Sequence, residues 1–388
     1  MELRAGYKNT EIGVIPEDWK VKPLYEVLHI TGGGTFKSID RVKLGVKWLK
    51  IANVGINQIK WKEIDYLPVN FINTYSNYVL KSRDLVMALT RPILREKLKI
   101  SFISQEDTPC LLNQRVAKIE EKENALLKFL YFILQSKAVV DDLQDSMAGT
   151  DPPNLSNNGI YKIKIPLPPL PEQTAIANVL SDTDNLLQTL EKKIVKKRLI
   201  KQGTMQELLK PKEGWVVKSL GEICEKITTG KLDANAMVKD GKYRFYTCAM
   251  NYSFIDDYAF DTEALLVSGN GANVGYIHYY KGKFNSYQRT YVLDGFSENI
   301  FFVKLYMDKF LKKRIDEQKN DGNTPYIKMD TLYDMIINVP NTQEQNRIAT
   351  ILSDMDTEIE NLEKQLEKYK QVKQGLMQNL LTGKIRLV

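Results

Sequence analysis

The chain has 388 residues, 43% of them hydrophobic and 27% charged, with a formal net charge of +7. That length holds two domains of ordinary size, and that hydrophobic content excludes a disordered chain. The three cysteines, Cys110, Cys224 and Cys248, offer neither an even set for disulfides nor CxxC spacing for zinc. No apolar run reaches 18 residues and no secretory signal pattern leads the chain, so the expectation is a cytoplasmic protein without a membrane span.

The first globular part opens with Ile15-Pro16-Glu17-Asp18-Trp19, then Leu24 and a glycine turn at Thr31-Gly32-Gly33-Gly34. Short β-rich runs at 46–51 and 84–89 are separated by turn residues, and a helix is predicted over 125–135. The part closes with Gly149-Thr150-x-Pro152 and a last strand. The run Ile165-Pro166-Leu167-Pro168-Pro169-Leu170-Pro171 reads as a stiff hinge out of this part.

The hinge leads into a long helix over 171–209, and the chain repeats it without a gap 172 positions later, at 343–381. About half of the aligned positions are identical, among them Leu180-Ser181-Asp182-x-Asp184 with Leu352-Ser353-Asp354-x-Asp356. Lys201-Gln202-Gly203-x-Met205-Gln206 likewise recurs as Lys373-Gln374-Gly375-x-Met377-Gln378. Apolar residues at Ile348, Leu352, Met355, Ile359, Leu362, Leu366 and Tyr369 take the alternating 3- and 4-residue step of a coiled-coil seam. Ile176, Leu180, Leu187, Leu190 and Ile194 do so in the first copy. Thr342 with Gln345 fits a capping box, Pro171 a first helical position, Pro211 a stop and Gly383 a C-cap.

Between the helices the opening is restated around Trp215 and Leu220, with a glycine turn at Thr229-Gly230. Strands are predicted at 264–267 and 290–293, a helix at 299–312, and an exit at Gly322-Asn323-x-Pro325. The expected class is α+β: two globular domains separated by two long antiparallel coiled-coil helices, an internal pseudo-twofold repeat. The boundaries fall at 1–165, 166–210, 211–338 and 339–388. Helices packed antiparallel would carry the two globular parts at opposite ends.

The opening motif, the Ile-Pro-Leu-Pro-Pro-Leu-x-Glu-Gln lead into the first helix, the two Leu-Ser-Asp-x-Asp and Lys-Gln-Gly-x-Met-Gln segments, and the closing Leu380-Leu381-Thr382-Gly383-Lys384-Ile385-Arg386-Leu387 occur in order. With them the chain resembles, along nearly its full length, the DNA-specificity subunit of type I restriction–modification systems. The resemblance implies two target-recognition domains, each reading half of a bipartite site in double-stranded DNA. It implies no catalysis in this chain, and no cofactor or metal bound by it. Two methylation subunits using S-adenosylmethionine, and restriction subunits using ATP and Mg2+, are the expected partners.

Motifs with enzymatic overtones fall short on their own residues. Ser268-Gly269-Asn270-Gly271-Ala272-Asn273-Val274-Gly275 lacks the Lys-Ser/Thr of a P-loop and misses the dinucleotide spacing, leaving a glycine-rich turn. Asp151-Pro152-Pro153-Asn154 has asparagine where an amino-methyltransferase needs an aromatic residue. His29 and His278 have no triad or metal partners in sequence.

Candidate DNA contacts are Asn113-Gln114-Arg115 and, in the second part, Gln288 and Arg289 after Tyr287, because arginine can bond a guanine edge and glutamine or asparagine an adenine edge. Arg91, Arg95, Lys97 and Lys99 form a basic cluster, with Lys281 and Lys283 another. Lys37 and Lys231 come just after the glycine turns, and Asn270 and Asn273 lie in the glycine-rich loop. Each admits phosphate contact or a solvated face. Gln202, Gly203, Met205, Gln374, Gly375 and Met377 are candidates for partner docking, since a glycine within a helix costs about 1 kcal/mol against alanine. Close helix–helix approach explains the glycines equally well.

Overall fold

A computed structural model of the protein describes residues 5–149, 151–318 and 326–387. The fold divides into two compact units, Met1–Glu191 with Lys364–Val388, and Lys192–Glu363. Each long helix therefore contributes one part to each unit.

In the first unit, strand Lys20–Pro23 pairs antiparallel with Lys164–Leu167, Lys20 opposite Leu167. The proline run expected to form a stiff hinge is thus partly in a strand, since Pro166 sits opposite Val21 at an edge where no donor is needed. One sheet runs in the order Ile100–Phe102, Leu85–Ala88, Val116–Glu121, Leu28–Gly32; a second runs Tyr66–Leu67, Val46–Leu49, Cys110–Leu112, Val79–Leu80. The predicted helix is Leu127–Ile133, and Lys137–Asp145 comes after it, with N-cap Ser136 accepting from the Val139 amide. Phe129, Leu130, Phe132 and Ile133 are buried in a core shared with Trp19, Leu180, Leu380 and Leu381. Trp19 Nε1 donates to Glu172 Oε2 at 2.9 Å, and Arg386 Nε donates to the same carboxylate at 2.7 Å. The opening and closing motifs of the sequence therefore meet at the first turn of a long helix.

The second unit repeats the frame. Val216–Ser219 pairs antiparallel with Ile336–Val339, Val216 opposite Val339. Its body holds one six-stranded sheet in the order Cys224–Thr229, Thr290–Phe296, Phe260–Ser268, Ile277–Ser286, Tyr243–Tyr246, Ser253–Ile255. Helix Ile300–Glu317, capped by Asn299, buries Phe302, Val303, Tyr306 and Leu311 in a core with Leu265, Val267 and Leu293. One six-stranded sheet against two four-stranded sheets is how the two bodies have diverged.

The long helices are Leu170–Leu208 and Thr342–Leu380, 39 residues each. In the second unit Lys197 meets Glu358 at 2.7 Å and Lys201 meets Asp356, so the two helices run antiparallel there. In the first unit Lys373 meets Asp184 at 2.5 Å. The seam positions Ile176, Leu180, Leu190, Ile194, Ile348, Leu352, Ile359 and Leu362 are buried.

Both long helices start one residue earlier than the sequence pattern sets. Thr342 is already helical, and the cap is Asn341, whose Oδ1 accepts from the Glu344 amide at 2.9 Å. Pro171 is the second helical residue, still in the first turn, where a missing N–H costs nothing. Gly383 takes φ +72° after the second helix. Close approach does not explain the mid-helix glycines: a Cβ on Gly203 or Gly375 would meet nothing within 4 Å. Gly322, Asn323, Pro325 and Thr150 of the two exits lie outside the described residues.

Candidate nucleic-acid interface

Three chain segments converge at the same place in each body. In the first, Asn113-Gln114-Arg115 is the tight turn between strands Cys110–Leu112 and Val116–Glu121, closed by the Val116 amide donating to Asn113 O at 2.8 Å. The Gln114 amide donates to Gly34 O at 3.0 Å, and the Leu89 amide to Arg115 O at 2.9 Å. In the second body, Tyr287-Gln288-Arg289 is the turn between Ile277–Ser286 and Thr290–Phe296, closed by Thr290 donating to Tyr287 O at 2.8 Å. Gln288 donates to Leu232 O and Gly269 to Arg289 O, each at 2.8 Å. The turn, the stretch after the glycine turn and the end of a neighbouring strand thus form the same rim twice.

The glycines that precede the rim are demanded by contact. A Cβ on Gly33 would lie 2.3 Å from Leu112 O, and one on Gly230 would lie 1.8 Å from Ser286 O. Only glycine lets that backbone lie against the strand end.

On these rims Gln114, Arg115, Gln288 and Arg289 are exposed, as are Lys37, Lys231 and Arg91. Thr35 Oγ1 donates to Gln114 Oε1 at 3.2 Å, and Gln288 Nε2 donates to Asp233 Oδ2 at 3.4 Å, so both glutamine amides are held by the adjoining loop. Thr35 and Asp233 escape a reading of the sequence by motif; their position just past the glycine turns is the signal that marks them. Asn113 is buried, and its Oδ1 accepts from the Arg115 amide at 3.0 Å, so its side chain shapes the turn. Asn273 Nδ2 donates to Cys248 O at 3.1 Å, which ties the glycine-rich loop to the 247–252 loop, while Asn270 is half-buried and bridges Tyr326. The loop itself links two strands, as its composition implied, through Gly275 donating to Ser268 O at 2.8 Å.

The basic cluster is carried by a hairpin, Ile93–Leu94 with Lys97–Leu98, whose turn residues Arg95 and Glu96 both take positive φ. Lys97 is exposed on it. Lys99 is half-buried, and burial first and the Arg91 charge second hold its ammonium below the usual lysine range. Its Nζ donates to Ile51 O at 3.3 Å. Two neighbouring cations of this kind suit an anion. Lys281 differs: it sits opposite Glu263 in the sheet and pairs with it at 3.2 Å.

On the long helices, Gln202, Gly203 and Gln374 are exposed and Gly375 half-exposed. Met205 packs against the core of the second unit and Met377 against that of the first. Among the described residues no group of His, Cys, Asp and Glu is arranged to hold a metal ion, and no helix is long and apolar enough to cross a membrane.

Residues 16–197 and 212–371 match the sequence pattern of the type I restriction modification DNA specificity domain, once for each half of the chain. The chain belongs to the type I restriction–modification specificity family. The MjaVIII specificity subunit of Methanocaldococcus jannaschii is 41% identical over 204 residues, which are 52% of this chain and 48% of that relative, so the match spans about half of its length. The MjaIX specificity subunit of the same organism is 23% identical over 98% of this chain and 96% of its own. The crystal structure of the type I restriction–modification S subunit of M. genitalium shares the fold, with a TM-score of 0.66 at 17% identity over 98% of both chains. A chain from a study of assembly and conformational transition in a type I R-M system has a TM-score of 0.57 at 17% identity, covering 96% of this chain and 99% of that one.

Proposed function

We propose that this chain is the DNA-reading subunit of a type I restriction–modification complex, with one target-recognition domain in residues 1–165 and another in 211–338. Each reads one half of a bipartite site. The observation that carries this reading is the twice-built rim, with an exposed Gln-Arg pair at the same turn of two otherwise diverged bodies. Arg115 and Arg289 are the base-reading candidates, with Gln114 and Gln288 beside them. Lys37, Arg91, Lys97 and Lys231 supply phosphate contacts, which position a reader without specifying sequence.

The chain directs catalysis performed elsewhere. Cys110 and Cys224 are buried, and burial pushes both thiols up to about 12, so neither is a nucleophile. His278 packs edge-on against Tyr246 and Tyr276 and bonds Ala249 O. S-adenosylmethionine, ATP and Mg2+ belong to the two methylation subunits and the restriction subunits. Those partners dock on the helices around Gln202-Gly203 and Gln374-Gly375, where open glycines leave room for an incoming side chain.

The test is a map of methylated adenines in the source cell with and without this gene, and then with Arg115→Ala and Arg289→Ala. Loss of methylation at one split motif supports the reading. Each variant then relaxes one half-site at a cost of about 1–3 kcal/mol. An unchanged map in a cell with active partner subunits overturns it.

A further inference from the structure

The sheet of the second body carries a second buried cluster, made of strand residues and separate from the core it shares with helix Ile300–Glu317. Phe284, Tyr246, Leu266 and Val292 belong to it, with Tyr280 partly exposed at its edge. Arg244 lies there, on strand Tyr243–Tyr246, between the hairpin partner Ser253–Ile255 and the parallel strand Ile277–Ser286. Its guanidinium carbon is 4.3 Å from the centre of the Tyr252 ring and 4.5 Å from that of Tyr280. One Nη donates to Tyr246 Oη at 3.4 Å.

A buried-facing arginine with a purely structural role normally meets a carboxylate or a carbonyl. Arg244 has instead three tyrosines around it, Tyr246, Tyr252 and Tyr280, and among the described residues no ion-pair partner. Among the described residues the Tyr246 hydroxyl is the one hydrogen-bond acceptor its five N–H donors meet, while two tyrosine rings lie within 4.5 Å of the guanidinium carbon and limit its movement. The residue is half-exposed, and Tyr252, which holds one side of it, is 41% exposed.

Its place also counts. The Tyr287 amide donates to Tyr246 O at 2.9 Å, and Cys248 Sγ donates to Arg289 O at 3.4 Å. The strand that carries Arg244 and the loop after it are thus bonded to the turn of Gln288 and Arg289, so Arg244 stands two residues back from the proposed reading rim.

We infer that Arg244 is a second base-reading residue of the second body, its fork held between Tyr252 and Tyr280 to bond the major-groove edge of a guanine. This rests on the reading of the chain as a sequence-specific DNA binder. A phosphate can be met by a mobile cation from many directions, whereas the O6/N7 edge of guanine needs a planar fork held in one orientation. The aromatic clamp supplies that orientation before DNA arrives.

The experiment selects bound duplexes from a random-sequence DNA library with the full chain in complex with its methylation subunits, and compares wild type with Arg244→Ala, Arg244→Lys and Tyr252→Ala. Relaxation of one G·C pair in one half-site by about ten- to a hundredfold in Arg244→Ala is expected. Arg244→Lys keeps the charge and loses the preference at that pair, Tyr252→Ala weakens the same preference in part, and the other half-site is unchanged in all three. If Arg244→Ala does not fold, the lysine and tyrosine variants carry the test. An unchanged motif overturns the inference, as does an equal loss on all sequences with a shallower salt dependence, which marks a phosphate contact. A wild-type complex that selects no split motif overturns the underlying function instead.

Discussion

Lys373 and Asp184 form an ion pair of 2.5 Å between the two long helices, with side chains only 14% and 17% exposed. One repeat away, the same residue types pair as Lys201 and Asp356, with the roles of the helices exchanged, but there the aspartate is 48% exposed. The two pairs are alike in sequence and unlike in surroundings. Removing one partner of a shielded pair strands a charge with little water to solvate it, whereas an exposed pair is worth little. Asp184→Asn should therefore destabilise the first unit by about 2–4 kcal/mol, and Asp356→Asn the second by about 1 kcal/mol or less. Chemical denaturation of the two variants checks the difference; equal losses would show that burial does not separate the pairs.

Gln173 and Gln345 anchor the starts of the helices. Gln173 Nε2 donates to Pro168 O and Asn124 O, both at 2.9 Å, while its Oε1 accepts from the Leu126 amide at 2.8 Å. Gln345 Nε2 donates to Pro340 O at 2.9 Å and Glu298 Oε2 at 2.6 Å, and its Oε1 accepts from the Asn299 amide at 2.9 Å. Leu126 and Asn299 are the residues that precede the helices of the two bodies. Each glutamine thus satisfies an amide at one helix start from the first turn of another. Gln173→Leu and Gln345→Leu should each cost about 1–3 kcal/mol through polar groups left unpaired. Faster hydrogen exchange at Leu126 or Asn299, confined to the unit that carries the change, is the expected signature.

That glutamine role shows where the sequence was legible and where it was not. The helices could be read because their 3- and 4-residue steps are local and are stated twice, and the turns at Arg115 and Arg289 because each stands directly before a strand. Thr342 and Gln345 also satisfy the spacing of a capping box, but the spacing cannot tell whether Gln345 turns back to its own helix or outward to Asn299, 46 positions away. Charge patterning made Lys281 a candidate alongside Lys97, and only strand register, which sets Glu263 opposite it, separates the two. The rim itself joins Gln114 to Gly34 and Arg115 to Leu89 through backbone bonds across the fold. Backbone pairings of that kind leave no side-chain pattern to read.

Gly203 and Gly375 admit a test of docking that runs against the usual direction of a mutation. Both lie within helices, and an added Cβ meets nothing at either. Alanine there should raise the stability of the isolated chain by roughly 1 kcal/mol at each position, from helix propensity. If the glycines leave space for methylation subunits, the same change should weaken assembly of the complex, measured by titration of the subunits against wild type and variants. Greater stability with unchanged assembly would remove these positions from the docking surface.

His278 gives the second body a pH response whose sign is fixed by its surroundings. Its ring lies edge-on to Tyr246 and Tyr276, with centroids at 5.0 and 4.8 Å, and Nε2 bonds Ala249 O at 3.0 Å. Burial holds its pKa below the ordinary 6.5, against the opposing pull of the Ala249 carbonyl. The folded chain therefore binds a proton less readily than the unfolded chain, and stability rises with pH through that interval. It is fully present above 6.5 and is lost as pH falls below 6.5 toward the depressed folded value. Carboxylates held low by a partner, such as Glu344 beside Arg347, respond only below their ordinary 4.5. Denaturation midpoints between about pH 8 and 5 should fall for the wild-type chain and fall less for His278→Phe, which keeps the ring and removes the titration. Parallel curves would assign the acid response to other groups and show that His278 binds its proton equally well in the folded and unfolded chain.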